Sequence, residues 1–92
     1  MISHTTQRFR KLYGNLPEQI RKQARYVYRQ FKRDPYCPSL HFKRVHSSEP
    51  IYSVRITRDY RAVGVQQNND IIWFWIGSHS DYDKVLNQLR HA

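Results

Sequence analysis

The sequence is short of several residue types, and each shortage excludes a class of protein. Its 92 residues include a single cysteine, Cys37, so no internal disulfide can form. That cysteine and five histidines without paired spacing do not make a metal site, and the three glycines form no phosphate-binding loop. No apolar run approaches the length of a membrane span, and the first residues lack the core of a signal peptide. We therefore expect a cytoplasmic protein that needs no metal or cofactor and contacts no membrane.

Acidic residues are also scarce, and the imbalance lies in one half of the chain. Sixteen Lys and Arg face seven Asp and Glu, which gives a net charge of +9 at pH 7. Residues 1–46 carry eleven basic and two acidic side chains, whereas residues 47–92 carry five of each. Eleven of the sixteen basic residues are Arg, which suits planar recognition of phosphate or carboxylate. A basic surface confined to one half predicts a polyanionic partner, either nucleic acid or a strongly acidic protein segment.

What the sequence does contain begins with a basic helical region. Residues 7–13 predict a short helix and residues 15–34 predict a longer one. In the longer helix Asn15 is expected to be the cap, Glu18 would complete a capping box, and Pro17 is tolerated in the first turn. The apolar residues of this helix recur at helical spacing and form one stripe: Ile20, Ala24, Val27, Tyr28 and Phe31. Two helices joined by a turn are expected to form an antiparallel hairpin.

Four runs of strand type follow the helices: residues 40–45, 51–57, 60–65 and 71–76. The last run is apolar throughout, which is typical of a strand buried on both faces. Before the helices, residues 3–6 fit either a short edge strand or an unstructured start, and a closing helix is expected through Leu89. The predicted fold is a single α+β domain over residues 1–92. It has a helical hairpin on one face of a mainly antiparallel four-stranded sheet, and a short C-terminal helix.

Five pieces of the sequence occur in a characteristic order: Leu16-Pro17 at the opening of a basic helix, then residues 38–43 (PSLHFK), 52–56 (YSVRI), 60–63 (YRAV) and 75–82 (WIGSHSDY). Together they resemble the RelE/ParE superfamily of bacterial type II toxin–antitoxin toxins, over roughly residues 15–83. The resemblance implies a small cytoplasmic toxin encoded beside an antitoxin that neutralises it. The RelE-like branch cleaves mRNA in the ribosomal A site, whereas the ParE-like branch inhibits DNA gyrase and has no nuclease chemistry.

RNA cleavage without a metal needs a base for the 2′-OH, cations around the phosphorus and an acid for the departing 5′-oxygen. Arg55 and Arg61 are candidates for the cations, because they lie in predicted strands on the face that the hairpin leaves free. RNA-cleaving relatives place an arginine at the position of Arg61 and a histidine at that of His79, a residue type that can act as acid or base near neutrality. Glu49 is the candidate base, and Tyr82 would stack on a base or donate to phosphate.

Each of these candidates also has a structural alternative. The two arginines would form ion pairs that hold the sheet, and His79 would cap the following helix with its ring. Glu49 would be a solvated turn acid and Tyr82 a side chain at the edge of the core.

RNA-binding residues are predicted on two elements. His41 and Lys43 share one face of the predicted strand 40–45, where they would complete a site with Arg61. The basic helix presents a face that would grip ribosomal RNA or the acidic antitoxin: Arg21, Arg25 and Arg29. The leading hypothesis is a ribosome-dependent, metal-independent mRNA endoribonuclease that inhibits translation. The alternatives are a gyrase inhibitor that acts through the helix surface and a nucleic-acid-binding module without toxicity.

Overall fold

The computed structural model describes residues 1–91, which form three α-helices and a five-stranded β-sheet. In chain order the elements are β1 (Ile2–Thr5), α1 (Gln7–Gly14), α2 (Glu18–Arg33), a 3₁₀ turn (Pro38–Leu40), β2 (Lys43–Arg44), β3 (Ile51–Thr57), β4 (Tyr60–Gln67), β5 (Asp70–Ser78) and α3 (His79–Arg90). The α+β class and the C-terminal helix are confirmed, but the sheet has five strands rather than the predicted four. Within residues 1–91, no helix combines the length and apolarity needed to cross a membrane.

The additional strand is β1, at one edge of a sheet with the order β1-β5-β4-β3-β2. Strands β2 to β5 form an antiparallel meander, as predicted. Strand β1 instead pairs in parallel with β5, so that Ile2 lies opposite Asp70 and Thr5 opposite Trp73. A parallel partner at the far end of the chain leaves no turn signal in the sequence. This explains why residues 3–6 fit a strand and an unstructured start equally well.

The long helix begins at Glu18, not at Asn15 as predicted. Asn15 follows α1 instead, where its N–H donates to the carbonyl oxygens of Leu12 and Tyr13 and closes that helix. Pro17 occupies the cap position of α2 without a side-chain hydrogen bond, so the predicted capping box does not form. Glu18 still lies in the first turn, where its negative charge favours the helix dipole.

The predicted strand at residues 40–45 is largely wrong. Residues Pro38–Leu40 form the 3₁₀ turn, and His41 follows in the left-handed conformation with φ of 47°. Only Lys43 and Arg44 pair with β3. The turn places Leu40 in the core, where 2% of it is exposed. Burial of this side chain therefore takes the place of strand pairing.

The two faces of the sheet bury different cores. Helix α2 contributes Phe31 to the larger core, where its ring lies edge-on to Trp73 at a centroid distance of 5.4 Å. Helix α3 covers a smaller core around Trp75 and Tyr82 on the other face. The second face is therefore not left free as predicted, because α3 occupies much of it. Its exposed part lies around the β3–β4 turn, where Arg58 is exposed.

The helical hairpin is confirmed only in part. Near the turn, Arg21 Nη1 donates to the carbonyl oxygen of Leu16 at 2.7 Å, and Arg25 Nη1 donates to the Tyr13 hydroxyl at 2.7 Å. Away from the turn, α1 packs chiefly on β5 and α2 on β3. The two helices therefore share the sheet more than they contact each other, and a groove opens between them.

Candidate functional site

Two arginines lie opposite each other where β3 and β4 approach their connecting turn. Arg55 lies directly opposite Arg61, and both are partly exposed. They share the α3 face of the sheet with Ser53 and Val63, because alternate residues of a strand point to the same side. The pairing register shifts between Arg55 and Thr57, an irregularity of the ladder that can change the direction of nearby side chains. Like charges in opposition are unfavourable, so an anion bound here would relieve their repulsion.

Arg61 is held by the turn rather than by an acid. Its Nη1 donates to the carbonyl oxygens of Thr57 at 2.6 Å, Tyr60 at 2.9 Å and Arg58 at 3.1 Å. Within residues 1–91, Arg61 forms no ion pair with a carboxylate, so the alternative of a sheet ion pair is absent there. Its guanidinium remains charged, and the Nε and Nη2 groups can bind an oxyanion.

His79 is the first residue of α3, so the start of that helix fixes its position. The Ser78 hydroxyl caps the helix by accepting from the N–H of Asp81 at 3.3 Å, and the His79 N–H donates to the carbonyl oxygen of Asp59 at 2.7 Å. The imidazole is half exposed, and its Nδ1 lies 3.4 Å from Oδ2 of Asp83, one helical turn along. The ring therefore does not cap the helix. A carboxylate beside Nδ1 keeps the proton of that nitrogen in place, so Nε2 is the nitrogen that would exchange a proton with a bound group.

Among the described residues, His79 and Asp83 are the two that line both of two neighbouring open grooves. The first, which we name the turn groove, has a volume of about 580 Å³ and is lined by Arg58, Asp59, Arg61, Ser78, His79, Ser80 and Asp83. The second, which we name the helix groove, has a volume of about 700 Å³ and is lined by Lys43, Arg44, Val45, His46, Ser47, His79, Tyr82, Asp83, Leu86 and Arg90. A polyanionic strand laid across both grooves would pass over His79 with cations on either side.

Comparison with known proteins identifies the family of this chain. Residues 18–84 match the family model described as the ParE-like toxin domain. The chain belongs to this toxin family, within the RelE/ParE superfamily. The predicted family is therefore confirmed. No curated protein sequence matches the chain.

Solved structures of toxins share the fold of this ParE-like toxin. A chain of the RelB–RelE antitoxin–toxin complex from Methanococcus jannaschii has a TM-score of 0.72 and 19% identity, over 88% of this chain and 96% of that one. YafQ from Escherichia coli has a TM-score of 0.70 and 9% identity, over 87% and 94%. The isolated Escherichia coli RelE toxin has a TM-score of 0.66 and 14% identity, over 96% and 97%. At such identities the likeness establishes the fold alone.

The predicted site residues of the toxin divide into those that line the two grooves and those that do not. Arg61, His79 and Lys43 line them. Tyr82 also borders the helix groove, but it is 6% exposed, and its hydroxyl donates to the buried Ser53 Oγ at 3.0 Å. The Tyr82 hydroxyl is therefore committed to the core and is not free to donate to phosphate.

Other predicted residues lie outside both grooves. Glu49 is exposed in the loop before β3, and His41 precedes β2. His41 and Lys43 do not share a strand face as predicted, because β2 begins only at Lys43. The three predicted arginines of the basic helix lie on α2, on the opposite face of the sheet: Arg21, Arg25 and Arg29.

Sequence analysis missed two side chains beside His79. Asp83 follows His79 by four residues, which is the spacing that places side chains together on a helix, so this signal was present. Arg58 lies in the β3–β4 turn, and no pattern in the sequence marks it as different from other arginines. Within residues 1–91, no group of three or more His, Cys, Asp and Glu side chains is arranged to hold a metal ion.

Proposed function

We propose that this toxin is a metal-independent mRNA endoribonuclease that acts on the ribosome and so inhibits translation. The position of His79 carries the proposal, because this proton-transfer group stands at the junction of two grooves that both contain arginines. Proton transfer and stabilisation of phosphate charge are the requirements of RNA cleavage without a metal. The RelE/ParE superfamily includes the RelE-like branch, whose members cleave mRNA, and the isolated RelE toxin shares the fold of this chain, which supports this chemistry.

In the proposed reaction, the 2′-oxygen attacks the adjacent phosphorus after a base removes its proton. The bond from phosphorus to the 5′-oxygen breaks, and an acid protonates the departing oxygen, which leaves a 2′,3′-cyclic phosphate and a 5′-OH end. His79 is the proposed acid, while Arg61 and Arg58 neutralise the charge on the phosphate oxygens. Arg55, opposite Arg61, adds to that positive field. Glu49 lines neither groove, but it is retained as the candidate base because His46 and Ser47 of the same loop line the helix groove.

The proposed partners are mRNA on the ribosome and a cognate antitoxin with an acidic segment. Lys43 lines the helix groove, where it would contact the RNA backbone. The solved structures from Methanococcus jannaschii and Pyrococcus horikoshii are RelB–RelE complexes, which supports an antitoxin partner for this chain as well. The basic side chains of α1 and α2 suit either polyanion.

The proposal is tested by inducing the toxin in bacteria without its antitoxin and pulse-labelling new protein and DNA. We expect protein synthesis to fall promptly, with mRNA cut inside reading frames, while DNA synthesis continues. His79→Ala and Arg61→Ala should remove toxicity, since a proton-transfer group contributes about 10²- to 10⁴-fold to rate. His4→Ala is the matched control, because His4 lies on β1, outside both grooves. Thermal melting must show that the Arg61 variant still folds, since Arg61 also holds the turn.

Inhibition of DNA gyrase is the second candidate function, because the matching family model is described as ParE-like. In that case DNA synthesis would fall and DNA breaks would accumulate while translation continues. Toxicity would survive the substitutions of Arg61 and His79. It would be lost when the arginines of α2 are replaced: Arg21, Arg25 and Arg29.

A further inference from the structure

The loop between α2 and β2 presents an aromatic ring to the solvent. Tyr36 in this loop is 72% exposed, more than any other large apolar side chain in residues 1–91. Its hydroxyl forms no hydrogen bond within those residues, and the ring lines none of the grooves described above. The function proposed above makes no use of this ring.

The backbone of the loop is fixed although the ring of Tyr36 is exposed. Asp34 Oδ1 accepts from the Tyr36 N–H at 3.0 Å, and the Asp34 carbonyl oxygen accepts from the Cys37 N–H at 3.2 Å. Tyr36 and Cys37 lie between two prolines, which restrict the backbone on both sides. The buried Leu40 anchors the 3₁₀ turn that follows. A ligand of the ring would therefore meet a loop that is already ordered, which lowers the entropic cost of binding.

The exposed ring is the outer end of an aromatic series that starts in the core. Tyr36 lies against Phe42 with a centroid distance of 6.0 Å and an interplanar angle of 59°. Phe42 in turn stacks on Tyr52 at 4.9 Å and 22°. Because the contact with Phe42 is tilted and the residue is largely exposed, ring surface of Tyr36 remains open. A planar ligand could extend the series by stacking there.

Cations flank the ring in sequence on both sides. Residues 32–44 contain four Lys and Arg but one acidic residue, Asp34, whose carboxylate accepts from the Tyr36 N–H. Within residues 1–91, none of these four cations forms an ion pair with a carboxylate. His41, which sequence analysis predicted to bind RNA, is exposed in the same loop. An exposed aromatic ring among cations is the combination with which proteins bind single-stranded nucleic acids, because bases stack on the ring and phosphates pair with the cations.

Lys43 and Arg44 connect this loop to the candidate site. Both line the helix groove, in which His79 stands, and Phe42 immediately precedes them in the chain. Strand β2 is the edge of the sheet, so Phe42 packs in the core on the α2 side while Lys43 lies in the helix groove on the α3 side. A strand of RNA that leaves the helix groove past Lys43 would therefore reach the ring of Tyr36.

We propose that Tyr36 forms a base-stacking subsite for the substrate strand. A base of the mRNA, beyond the nucleotides held at His79, stacks on the Tyr36 ring while a neighbouring phosphate pairs with Lys43. The inference rests on the RNA substrate of the proposed function but not on cleavage. An apolar side chain of a protein partner would need a pocket in which to be buried, whereas a planar base needs only the face of a ring.

The measurement is fluorescence anisotropy of a labelled single-stranded 2′-O-methyl RNA at low salt. This RNA lacks the attacking 2′-OH and stays intact. A second oligonucleotide has the same backbone without bases, so it offers the same charge and nothing to stack. Tyr36→Phe keeps the ring, and Tyr26→Ala is the matched control, because Tyr26 is also exposed, at 49%, on the basic helix α2. Thermal melting should first show that each full-length variant is folded.

We expect Tyr36→Ala to weaken binding of the RNA by about tenfold, as loss of one stacked base does. Tyr36→Phe and Tyr26→Ala should stay within about twofold of the unmodified toxin, and the oligonucleotide without bases should bind Tyr36→Ala and the unmodified toxin equally. Equal weakening for both oligonucleotides would mean that Tyr36 acts without stacking, and would overturn the proposal. Equal weakening by Tyr36→Ala and Tyr26→Ala, or absence of RNA binding by the unmodified toxin, would overturn it as well.

Parallel measurements separate this proposal from the nuclease and from a protein contact. On ribosomes, Tyr36→Ala should raise KM for mRNA cleavage and leave kcat unchanged, because a base stacked away from the reacting atoms is held equally before and during the reaction. If the unmodified toxin cuts no RNA but RNA binding still depends on the ring, the nuclease fails and the stacking subsite stands. If Tyr36→Ala instead weakens binding of the antitoxin encoded beside the toxin gene and spares RNA, the ring is a protein contact and the proposal is wrong.

Discussion

The two faces of the sheet divide stability from chemistry. On the α1–α2 face, aromatic rings form a continuous series, with centroid distances of 5.0 Å from Phe31 to Phe42 and 4.9 Å from Phe42 to Tyr52. On the α3 face the core is smaller, and the ionisable groups of His79 and Asp83 lie at its border. Charged groups are costly to bury, so these ionisable side chains lie where the core ends. The α1–α2 layer therefore holds most of the core, while the α3 layer carries the candidate site.

A single strand contributes to both layers. In β3, Tyr52 and Val54 belong to the large core, whereas Ser53 contacts Tyr82 on the other face. Arg55 continues the second series toward the turn, opposite Arg61. Because strand side chains alternate, the same seven residues build an apolar wall and position a cation. Substitutions in the α1–α2 core should therefore lower the stability of the fold. Substitutions at the border of the α3 core should lower activity.

The largest expected effect comes from Phe31→Ala. This side chain is 2% exposed and packs edge-on against Phe42 and Trp73. Its removal should lower the free energy of unfolding by about 3–5 kcal/mol, which is the usual cost of such a core deletion. Urea denaturation followed by tryptophan fluorescence measures it. Tyr36→Ala is the control, since Tyr36 is 72% exposed and should change stability by about 0.5 kcal/mol or less. Similar losses in both variants would contradict a dominant α1–α2 core.

A smaller effect is expected from Tyr82→Phe on the other face. The substitution keeps the ring against Trp75 but leaves the buried Ser53 hydroxyl without its donor. The free energy of unfolding should fall by about 1–2 kcal/mol. Adding Ser53→Ala should recover part of that loss, because both polar groups are then absent. RNA cleavage should be unchanged, and a fall in cleavage at full stability would show that the hydroxyl does act on RNA.

The third prediction concerns the end of α3. His46 Nδ1 accepts from the N–H of Glu49 at 2.9 Å, so Nε2 carries the proton and donates to the carbonyl oxygen of Leu89 at 3.2 Å. His46→Ala should release the last turn of α3 and speed its amide hydrogen exchange by about fivefold, equivalent to about 1 kcal/mol. His4→Ala removes an exposed contact with Asp70 and should leave α3 unchanged. Equal exchange in both variants would mean that His46 does not hold the helix.

Secondary structure could be predicted from the sequence where its signal comes from residues that are close together in the chain. The apolar stripe predicted for α2 is buried at Ala24, Val27 and Phe31, but its predicted member Tyr28 is 49% exposed. The hydrophobic run of β5 and the antiparallel meander follow from periodicity and turn residues, and both are present. Strand β1 was not predictable in the same way, because its partner lies at the far end of the chain. The strand expected at residues 40–45 failed because burial of Leu40 in a 3₁₀ turn competes with pairing, and periodicity does not distinguish the two.

Prediction of the candidate site is limited in the same way, because its contacts depend on the fold and not on a local pattern. The order of motifs indicated His79 and Arg61, but no sequence pattern shows that the guanidinium of Arg61 rests on the turn carbonyls. Glu49 was favoured as the acidic residue nearest in sequence to the predicted strand site. Asp83 is the carboxylate beside the imidazole, since helix α3 starts at His79 and brings residue i+4 onto the same side.

The contact between His79 and Asp83 should have the smallest of the expected effects. The His79–Asp83 pair is exposed and 3.4 Å long, so it should contribute little. Asp83→Asn should lower the rate of mRNA cleavage by about two- to fivefold, by weakening the preference for one imidazole tautomer. Asp81→Asn makes the same charge change on α3, but its carboxylate lies near Lys84, so it should leave the rate unchanged. Nitrogen-15 shifts of the imidazole should change in the first variant only. Equal loss of rate in both would assign the effect to charge at the helix start, and His79 would then act without an orienting carboxylate.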